Sequence, residues 1–249
     1  TAQLAARHGA TTYGCSEHAD VRAVDLRPSS GSFEFTVERH GRPLGTIRLP
    51  LRGVHNVVNA TGTIAMADAI GIAPATAIRA LERFGGVARR FDVRGVDEGA
   101  TFVDDYAHLP AEISAVLSAA RDSGDGWERV VAVFQPNRYH RIAEMWDEYH
   151  SAFTDADVVV ITDVYASGTT PIPGVTGKLI VNSVLDRHPG TRVVWLPRRD
   201  DLVEFVAREV RQGDVCVSMG CGDIASLPDE VLRARRMGRV RELAPDGRS

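Results

Sequence analysis

Three cysteines, Cys15, Cys216 and Cys221, are all that the 249 residues contain. Odd in number and far apart, they form neither a disulfide framework nor a C-x-x-C metal pair, which fits a reducing cytoplasm. Positive charge is not in excess either. Lys and Arg together number 29 against 33 Asp and Glu, a formal net charge of −4, which excludes a strongly basic nucleic-acid binder. No uninterrupted apolar stretch reaches the roughly 18–20 residues that cross a bilayer. The most apolar run, Thr61 to Ile78, is broken by Asp68 and Pro74. No basic head followed by an apolar core marks a signal peptide. The chain has no G-x-x-x-x-G-K-[ST], no H-E-x-x-H and no G-x-S-x-G, and its eight histidines are dispersed. A P-loop, a zincin helix and a nucleophile elbow are therefore excluded within it. It opens at Thr1 rather than Met, in a helix-like stretch from Ala2 to Arg7, as the trailing part of a longer protein would.

What is present is a globular composition, 44% apolar and 25% charged, enough to bury a core in one large or two modest domains. Two rhythms run along it. In the first ninety residues, Val21 to Leu26 reads as a strand, and Ser32 to Arg39 alternates around Phe33, Phe35 and Val37. His40-Gly41-Arg42-Pro43 then turns the chain into Leu44 to Leu49, a hairpin signal. A helix follows from Asn56 to Ile70. A second starts near Pro74, with Ala77, Ile78, Leu81 and Phe84 as its stripe and Gly85-Gly86 after its end.

From Ala100 strands and helices alternate. Strands are expected at 101–104, 129–134, 158–162, 192–196 and 215–218. Helices are expected at 111–120, 142–153, 178–186, 202–211 and 228–235. This alternation implies a parallel sheet covered on both faces and doubly wound. The domain boundary falls within Arg90 to Gly95. The tail, Arg233 to Arg241, carries five arginines and reads as a solvated helix rather than a nucleic-acid patch.

In doubly wound sheets ligands bind beyond the carboxyl ends of the strands, so those ends carry the candidate chemistry. The first ends in Asp104-Asp105-Tyr106-Ala107-His108. Adjacent Asp side chains point to opposite faces of a strand, so at most one faces the crevice directly, the other capping a helix or orienting a partner. The second ends in Gln135-Pro136-Asn137-Arg138-Tyr139-His140-Arg141. Arg138 and Arg141, three apart, can face one ligand, and their planar forks suit carboxylate or phosphate. Cations at a helix start oppose its dipole, which favours an anionic ligand there. The third runs through Gly168 into a Gly/Pro-shaped loop, Thr169 to Gly177, of the kind that is often functional. The last ends in Gly220-Cys221-Gly222-Asp223-Ile224-Ala225. This meets the permissive dinucleotide pattern, but no strand with an acidic ribose ligand follows, so close helix–strand packing is the better reading. Upstream, Asn56 and Asn59 share a helix face. They can bond the edge of adenine, although an Asn near a helix start is commonly a cap. Arg89-Arg90-Phe91 sits at the expected domain junction, where ligands are often clamped.

In this order, Gly53-x-His55-Asn56-x-x-Asn59-Ala60, Arg89-Arg90-Phe91 and Asp104-Asp105-Tyr106-Ala107-His108-x-Pro110-x-Glu112-Ile113 resemble the motifs of the Mur ligases, the ATP-dependent amino-acid ligases of peptidoglycan synthesis. Phe134-Gln135-Pro136-x-Arg138-Tyr139-x-Arg141, Pro171-Ile172-Pro173-Gly174-Val175-x-Gly177-Lys178 and Gly220-x-Gly222-Asp223-Ile224 extend the likeness over nearly the whole chain. They point to the branch that joins L-alanine to UDP-N-acetylmuramate. Leu109 and Asn137 depart from it, standing where His is common.

The resemblance implies an α/β chain in which a C-terminal doubly wound, mostly parallel Rossmann-like sheet (93–249) follows the incomplete end of a central ATPase α/β domain (1–92). It implies ATP and Mg2+, with the P-loop and metal ligands expected upstream and no metal ligand here. It also implies a cytoplasmic enzyme without a membrane span or nucleic-acid partner. ATP phosphorylates the UDP-N-acetylmuramate carboxylate, and the L-alanine amine attacks the acyl phosphate. Carried over residue by residue, His55, Asn56 and Asn59 hold adenine, Arg90 and Asp105 hold ribose and phosphate, and Tyr106, His108, Arg138 and Arg141 face the muramoyl and amino-acid side. Arg90 and His108 are the catalytic candidates. The chain alone is expected to be inactive. The alternatives are a ligase that joins murein tripeptide to the same sugar nucleotide, and a non-catalytic nucleotide- or partner-binding module.

Overall fold

A computed structural model describes residues 2–243, which fall into two compact units. One comprises the residues up to Gly86 together with Asp122–Gly126, and the other Val87–Arg121 with the residues from Trp127 onward.

The first unit holds α1 (Ala2–His8), β1 (Tyr13–Gly14), β2 (Val21–Ser29), β3 (Ser32–Arg39), β4 (Arg42–Leu49), α2 (Val54–Ala69) and α3 (Pro74–Glu82). The sheet order is β1-β2-β3-β4, antiparallel except for β1 on β2. The alternation read in β3 buries Phe33, Phe35 and Val37 with Val21, Ile47 and Leu49, against Val57, Ala60 and Ile64 of α2 and Ile78 of α3. The hairpin turn is tighter than expected. His40 (φ 47°) and Gly41 (φ 75°) alone make it, and Arg42 already pairs with Arg39. Two left-handed residues match the strand twist that a two-residue turn needs. Pro74 opens α3 as expected, whereas Phe84 lies past its end and is exposed.

The second unit holds β5 (Asp92–Asp97), β6 (Ala100–Asp105), α4 (Pro110–Arg121), β7 (Arg129–Phe134), α5 (Tyr139–Met145), β8 (Val158–Ile161), α6 (Lys178–Arg187), β9 (Arg192–Trp195), α7 (Arg199–Glu209), β10 (Asp214–Met219) and α8 (Leu227–Leu243). The order is β5-β6-β10-β7-β8-β9, parallel except for β5. Along β7 the side chains alternate. Val130, Ala132 and Phe134 join the core with Ile113, Leu117, Ile142, Ile180 and Val184 of α4, α5 and α6. Val131 and Val133 join the opposite core with Leu202 and Val206 of α7 and Val231 of α8. The doubly wound expectation therefore holds, with both faces covered.

Three details differ from the sequence expectation. Three of the six residues of β5 are exposed, Asp97 alone is buried, and the strand has no apolar period, so nothing in the sequence announced it. The helix expected over 142–153 starts earlier and gives way at Trp146 to a 3-10 segment, Trp146–Ser151. In the arginine tail, Arg235 is tucked in rather than solvated, its side chain only 9% exposed. Its Nε donates to Asp97 Oδ2 at 2.6 Å and its Nη1 to the Ala207 and Val210 carbonyls. The side chains of Arg239 and Arg241 lie outside the described residues.

Candidate active site

The register aligns Asp105, Met219, Phe134, Ile161 and Trp195 in one row across β6, β10, β7, β8 and β9. The segments just beyond that row lie at the same edge of the sheet, and the candidates Tyr106, His108, Arg138 and Arg141 stand on them.

Beyond β6 the segment Arg89–Phe91 is bound to the strand end by the two aspartates. Arg89 Nε donates to Asp104 Oδ2 at 3.0 Å and its Nη2 to the Gly220 carbonyl at 2.7 Å. Asp105 accepts the Phe91 N–H at 2.7 Å through Oδ2 and the Ala107 N–H at 2.8 Å through Oδ1. Tyr106 N–H donates to the Arg89 carbonyl at 2.8 Å. Arg89 and Phe91 hold left-handed backbones, φ 62° and 48°, a local strain that these bonds maintain. Burial pushes both aspartic carboxyls above the usual range. It outweighs the Arg89 guanidinium at Asp104 and the two N–H donors at Asp105. Neither Asp faces the crevice freely. Both are buried and orient the junction, and helix capping falls to Glu112 instead.

Around them stand the more open groups. The guanidinium carbons of Arg89 and Arg90 lie 5.1 and 5.5 Å from the Tyr106 ring centroid, cation–π distances. Tyr106 meets His108 edge-on at 5.4 Å. Glu112, at the third position of α4, accepts the His108 and Leu109 N–H groups through Oε2 at 2.9 and 3.2 Å, the reciprocal half of a capping box. Tyr149 is buried, stacks on Phe134 at 5.5 Å and donates its hydroxyl to the His108 carbonyl at 2.9 Å. Burial pushes its phenol up to about 12, so it remains a donor throughout the physiological range.

Beyond β7, Gln135 Nε2 donates to Asp223 Oδ1 at 2.6 Å. Asn137 is bridged to Tyr165, and Arg138 N–H donates to the Tyr165 carbonyl at 2.9 Å. That bridge holds Arg138 outside α5, as its N-cap residue with φ 63° and ψ 112°. Arg138 is exposed. Arg141, inside the helix, donates from Nη1 to the buried Asn137 Oδ1 at 2.8 Å. So the two arginines do flank one turn, but not as consecutive helical positions. The glycines of the last motif are packing devices, as read. A Cβ on Gly222 would sit 2.5 Å from Gln135 Oε1 and from the Tyr165 ring.

In the first unit, Gly53 (φ 84°) is the N-cap of α2 and no side chain caps it. Asn56 does not cap. Its Nδ2 donates to the Arg52 carbonyl at 2.8 Å and lies 3.0 Å from His55 Nε2. Asn59 is exposed on the same face.

Arg90, Asp105, Tyr106 and His108 are thus brought together at the β6 end, Arg138 and Arg141 at the β7 end, and His55, Asn56 and Asn59 on one helical turn of the other unit. The sequence left Asp104, Glu112 and Tyr149 without assigned roles. Pro110 at the first helical position with Glu112 at the third was a readable capping signal, whereas nothing local marks Tyr149.

A parallel sheet wound on both faces, with a charged, glycine-shaped crevice at its strand ends, defines an α/β ligand-binding unit. Residues 89–222 match the family described as Mur ligase, glutamate ligase domain, and the chain belongs to the Mur ligase family. It is 44% identical over 216 residues to the UDP-N-acetylmuramate–L-alanine ligase of Pelobacter propionicus, covering 86% of this chain and 46% of that protein. Among solved structures it is similar to the UDP-N-acetylmuramate-alanine ligase MurC of Thermotoga maritima (TM-score 0.77, 28% identity, 95% of this chain and 50% of that one). It also resembles a murein peptide ligase of Psychrobacter arcticus (TM-score 0.62, 26% identity, 90% and 46%). The chain spans about half the length of the curated relatives it matches. Among the described residues, no helix is long and apolar enough to cross a membrane.

Proposed function

We propose that this chain supplies the closing half of a cytoplasmic ATP-dependent ligase that joins L-alanine to UDP-N-acetylmuramate. In this reading residues 1–92 complete a central ATP-binding domain and 93–249 form the C-terminal domain. The observation that carries it is the strand-end cluster in which buried Asp104 and Asp105 fasten Arg89–Phe91 and so present Arg90, Tyr106 and His108 together.

The residues fit a nucleotide substrate by their chemistry. Asn59 offers an unengaged amide beside Asn56 and His55, suited to a purine edge. Arg90 offers an exposed guanidinium suited to phosphate. Asp105 serves by holding the Arg90 segment, since both its oxygens already accept N–H groups. Arg138 and Arg141 suit the anionic sugar nucleotide and the amino-acid carboxylate, with Tyr106 and His108 beside the reacting groups. A carboxylate is a poor electrophile. Phosphorylation gives it a leaving group, and positioning with charge neutralisation does the rest. Mg2+ would neutralise phosphate charge. Among the described residues no three His, Cys, Asp or Glu side chains converge to hold a metal. The tripeptide-joining alternative has less support, resting on a structural likeness of TM-score 0.62 and 26% identity against 0.77 and 28%.

The test is a chimera in which the N-terminal half of the Pelobacter propionicus relative precedes this chain. Ligation of UDP-N-acetylmuramate that needs both ATP and L-alanine is expected. A chimera that folds and prefers tripeptide, or ligates neither, sinks the proposal.

A further inference from the structure

His108 has one ring nitrogen turned inward and one left over. Nδ1 lies 3.1 Å from the Tyr106 carbonyl oxygen and 3.2 Å from Glu112 Oε2. Both neighbours are acceptors only, because a carbonyl cannot donate and an ionised carboxylate does not. Two acceptors around one nitrogen require a proton on it in either charge state of the ring. The neutral imidazole is therefore the Nδ1–H tautomer, and Nε2 carries the bare lone pair. Other bonds fix the ring in place. Glu112 Oε2 also accepts the His108 and Leu109 N–H groups, so its carboxylate is anchored to the start of α4. The Tyr149 hydroxyl holds the His108 carbonyl at 2.9 Å, and the Tyr106 ring stands edge-on to the imidazole. The charged or titratable groups facing this histidine are Glu112 from α4, Tyr106 with the Arg89 and Arg90 guanidiniums stacked on it, and Tyr149 from the 3-10 segment.

We propose that Glu112 is a positioning residue that holds His108 in the Nδ1–H tautomer, so that His108 Nε2 takes the proton from the ammonium group of the incoming amino acid. This rests on the ligase reading above. An amino acid arrives as an ammonium ion, which has no lone pair to attack with. His108 Nε2 accepts one proton and becomes imidazolium beside the Glu112 carboxylate. The freed amine nitrogen attacks the acyl-phosphate carbonyl carbon. The C–N bond forms, the C–O bond to phosphate breaks, phosphate leaves with that electron pair, and it takes up the second proton shed by the new amide nitrogen. The carboxylate–histidine pair thus does for an amine what such pairs do for other nucleophiles.

Two measurements test this. The first needs only this chain. Long-range 1H–15N NMR of the neutral histidines, with the His108 signals assigned by their loss in His108→Gln, is expected to show Nδ1 protonated and Nε2 bare. In Glu112→Gln, whose amide can face the ring with either donor or acceptor, that preference is expected to collapse. A wild-type Nε2–H tautomer, or an unchanged tautomer in Glu112→Gln, overturns the proposal whether or not the ligase reading is right. The second uses the active chimera and compares L-alanine with hydroxylamine, a nucleophile largely uncharged at neutral pH. Glu112→Gln is expected to cut kcat with L-alanine by about 10-fold or more while hydroxamate forms at the wild-type rate. An equal fall with both nucleophiles would mean a structural cap only. No fall with either would mean that His108 needs no partner. Either result overturns the proposal.

Discussion

The two units present their candidate residues by different physical means. In the first, His55, Asn56 and Asn59 ride on the opening turn of a regular helix whose inner face, Val57, Ala60 and Ile64, belongs to the core. Asn59 is exposed, Asn56 touches the backbone at the Arg52 carbonyl ahead of the helix, and no side chain caps the helix. In the second, Arg90, Tyr106 and His108 stand on irregular chain whose shape depends on buried polar groups: Asp104, Asp105, Glu112 and the Tyr149 hydroxyl. A helix face can change its chemistry without changing its fold. A polar clamp cannot, because each of its members satisfies a partner that would otherwise be buried and unpaired.

The sharpest way to break this contrast is to remove one clamp and one helix-face residue. Asp105→Ala strands the Phe91 and Ala107 N–H groups and is expected to lower the stability of the second unit by about 2–4 kcal/mol. Asn59→Ala is expected to change stability by less than about 0.5 kcal/mol and yet to weaken ATP use in the chimera. Trp127, Trp146 and Trp195 all lie in the second unit, so urea titration followed by tryptophan emission reads that unit directly. A loss below about 1 kcal/mol for Asp105→Ala would mean that the clamp is not what shapes the segment. Tyr149→Phe removes one buried hydroxyl donor and keeps the ring. It is expected to cost about 1 kcal/mol by the same titration, and a neutral result would release His108 from its anchor.

The units also differ in how their carboxylates respond to pH. Hydrogen bonds from Thr12 hold Asp20 of the first unit below the usual range, and at Asp125 the Arg52 and Ser30 bonds do the same against opposing burial. Such groups lend stability above the unfolded value of 3.8, and that stability is lost as pH falls through their lower folded values. Asp105 is raised by burial, so the native state holds its proton more tightly than the unfolded chain. Its contribution is greatest below 3.8 and falls as pH rises through its higher folded value. The stability difference between wild type and Asp105→Asn is therefore expected to shrink as pH rises from about 3.5 to 6. The difference between wild type and Asp20→Asn, read by hydrogen exchange of β2 and β3, is expected to grow over the acid part of that range. Slopes of the same sign would remove the distinction.

What the sequence made legible follows the same division. Local periodicity located β3, β7 and α4 almost to the residue, because alternation and helical spacing are written in adjacent positions. The strand-end motifs located Tyr106, His108, Arg138 and Arg141 because each follows such a strand, whereas Arg90 was read from its place at the expected domain junction. β5 escaped because an edge strand with mostly exposed side chains has no apolar period. The clamp escaped because its bonds join residues far apart in the chain, Arg89 with Gly220 and Tyr149 with His108. No spacing rule predicts those, nor the Phe91 N–H bond that, with the Ala107 N–H, makes Asp105 orient the chain rather than face the crevice.

The smallest expected effect concerns backbone strain, which both units carry at an ordinary side chain. His40 (φ 47°) closes the β3–β4 hairpin beside Gly41, where a left-handed residue is what the turn requires. Arg138 (φ 63°, ψ 112°) lies outside even the left-handed helical region, held there by the bridge from Asn137 to Tyr165. Glycine relieves such strain, worth about 1–3 kcal/mol, but gives back about 0.5–1 kcal/mol in unfolded-state entropy. Arg138→Gly is therefore expected to raise stability by about 1 kcal/mol and His40→Gly by about 0.5 kcal/mol or less. Only the first should weaken use of the sugar nucleotide in the chimera, because only there does strain aim a guanidinium. If Arg138→Gly left ligation intact, the strained arginine would be an accident of the loop, and the anion-binding role would fall to Arg141, held on its helix by Asn137.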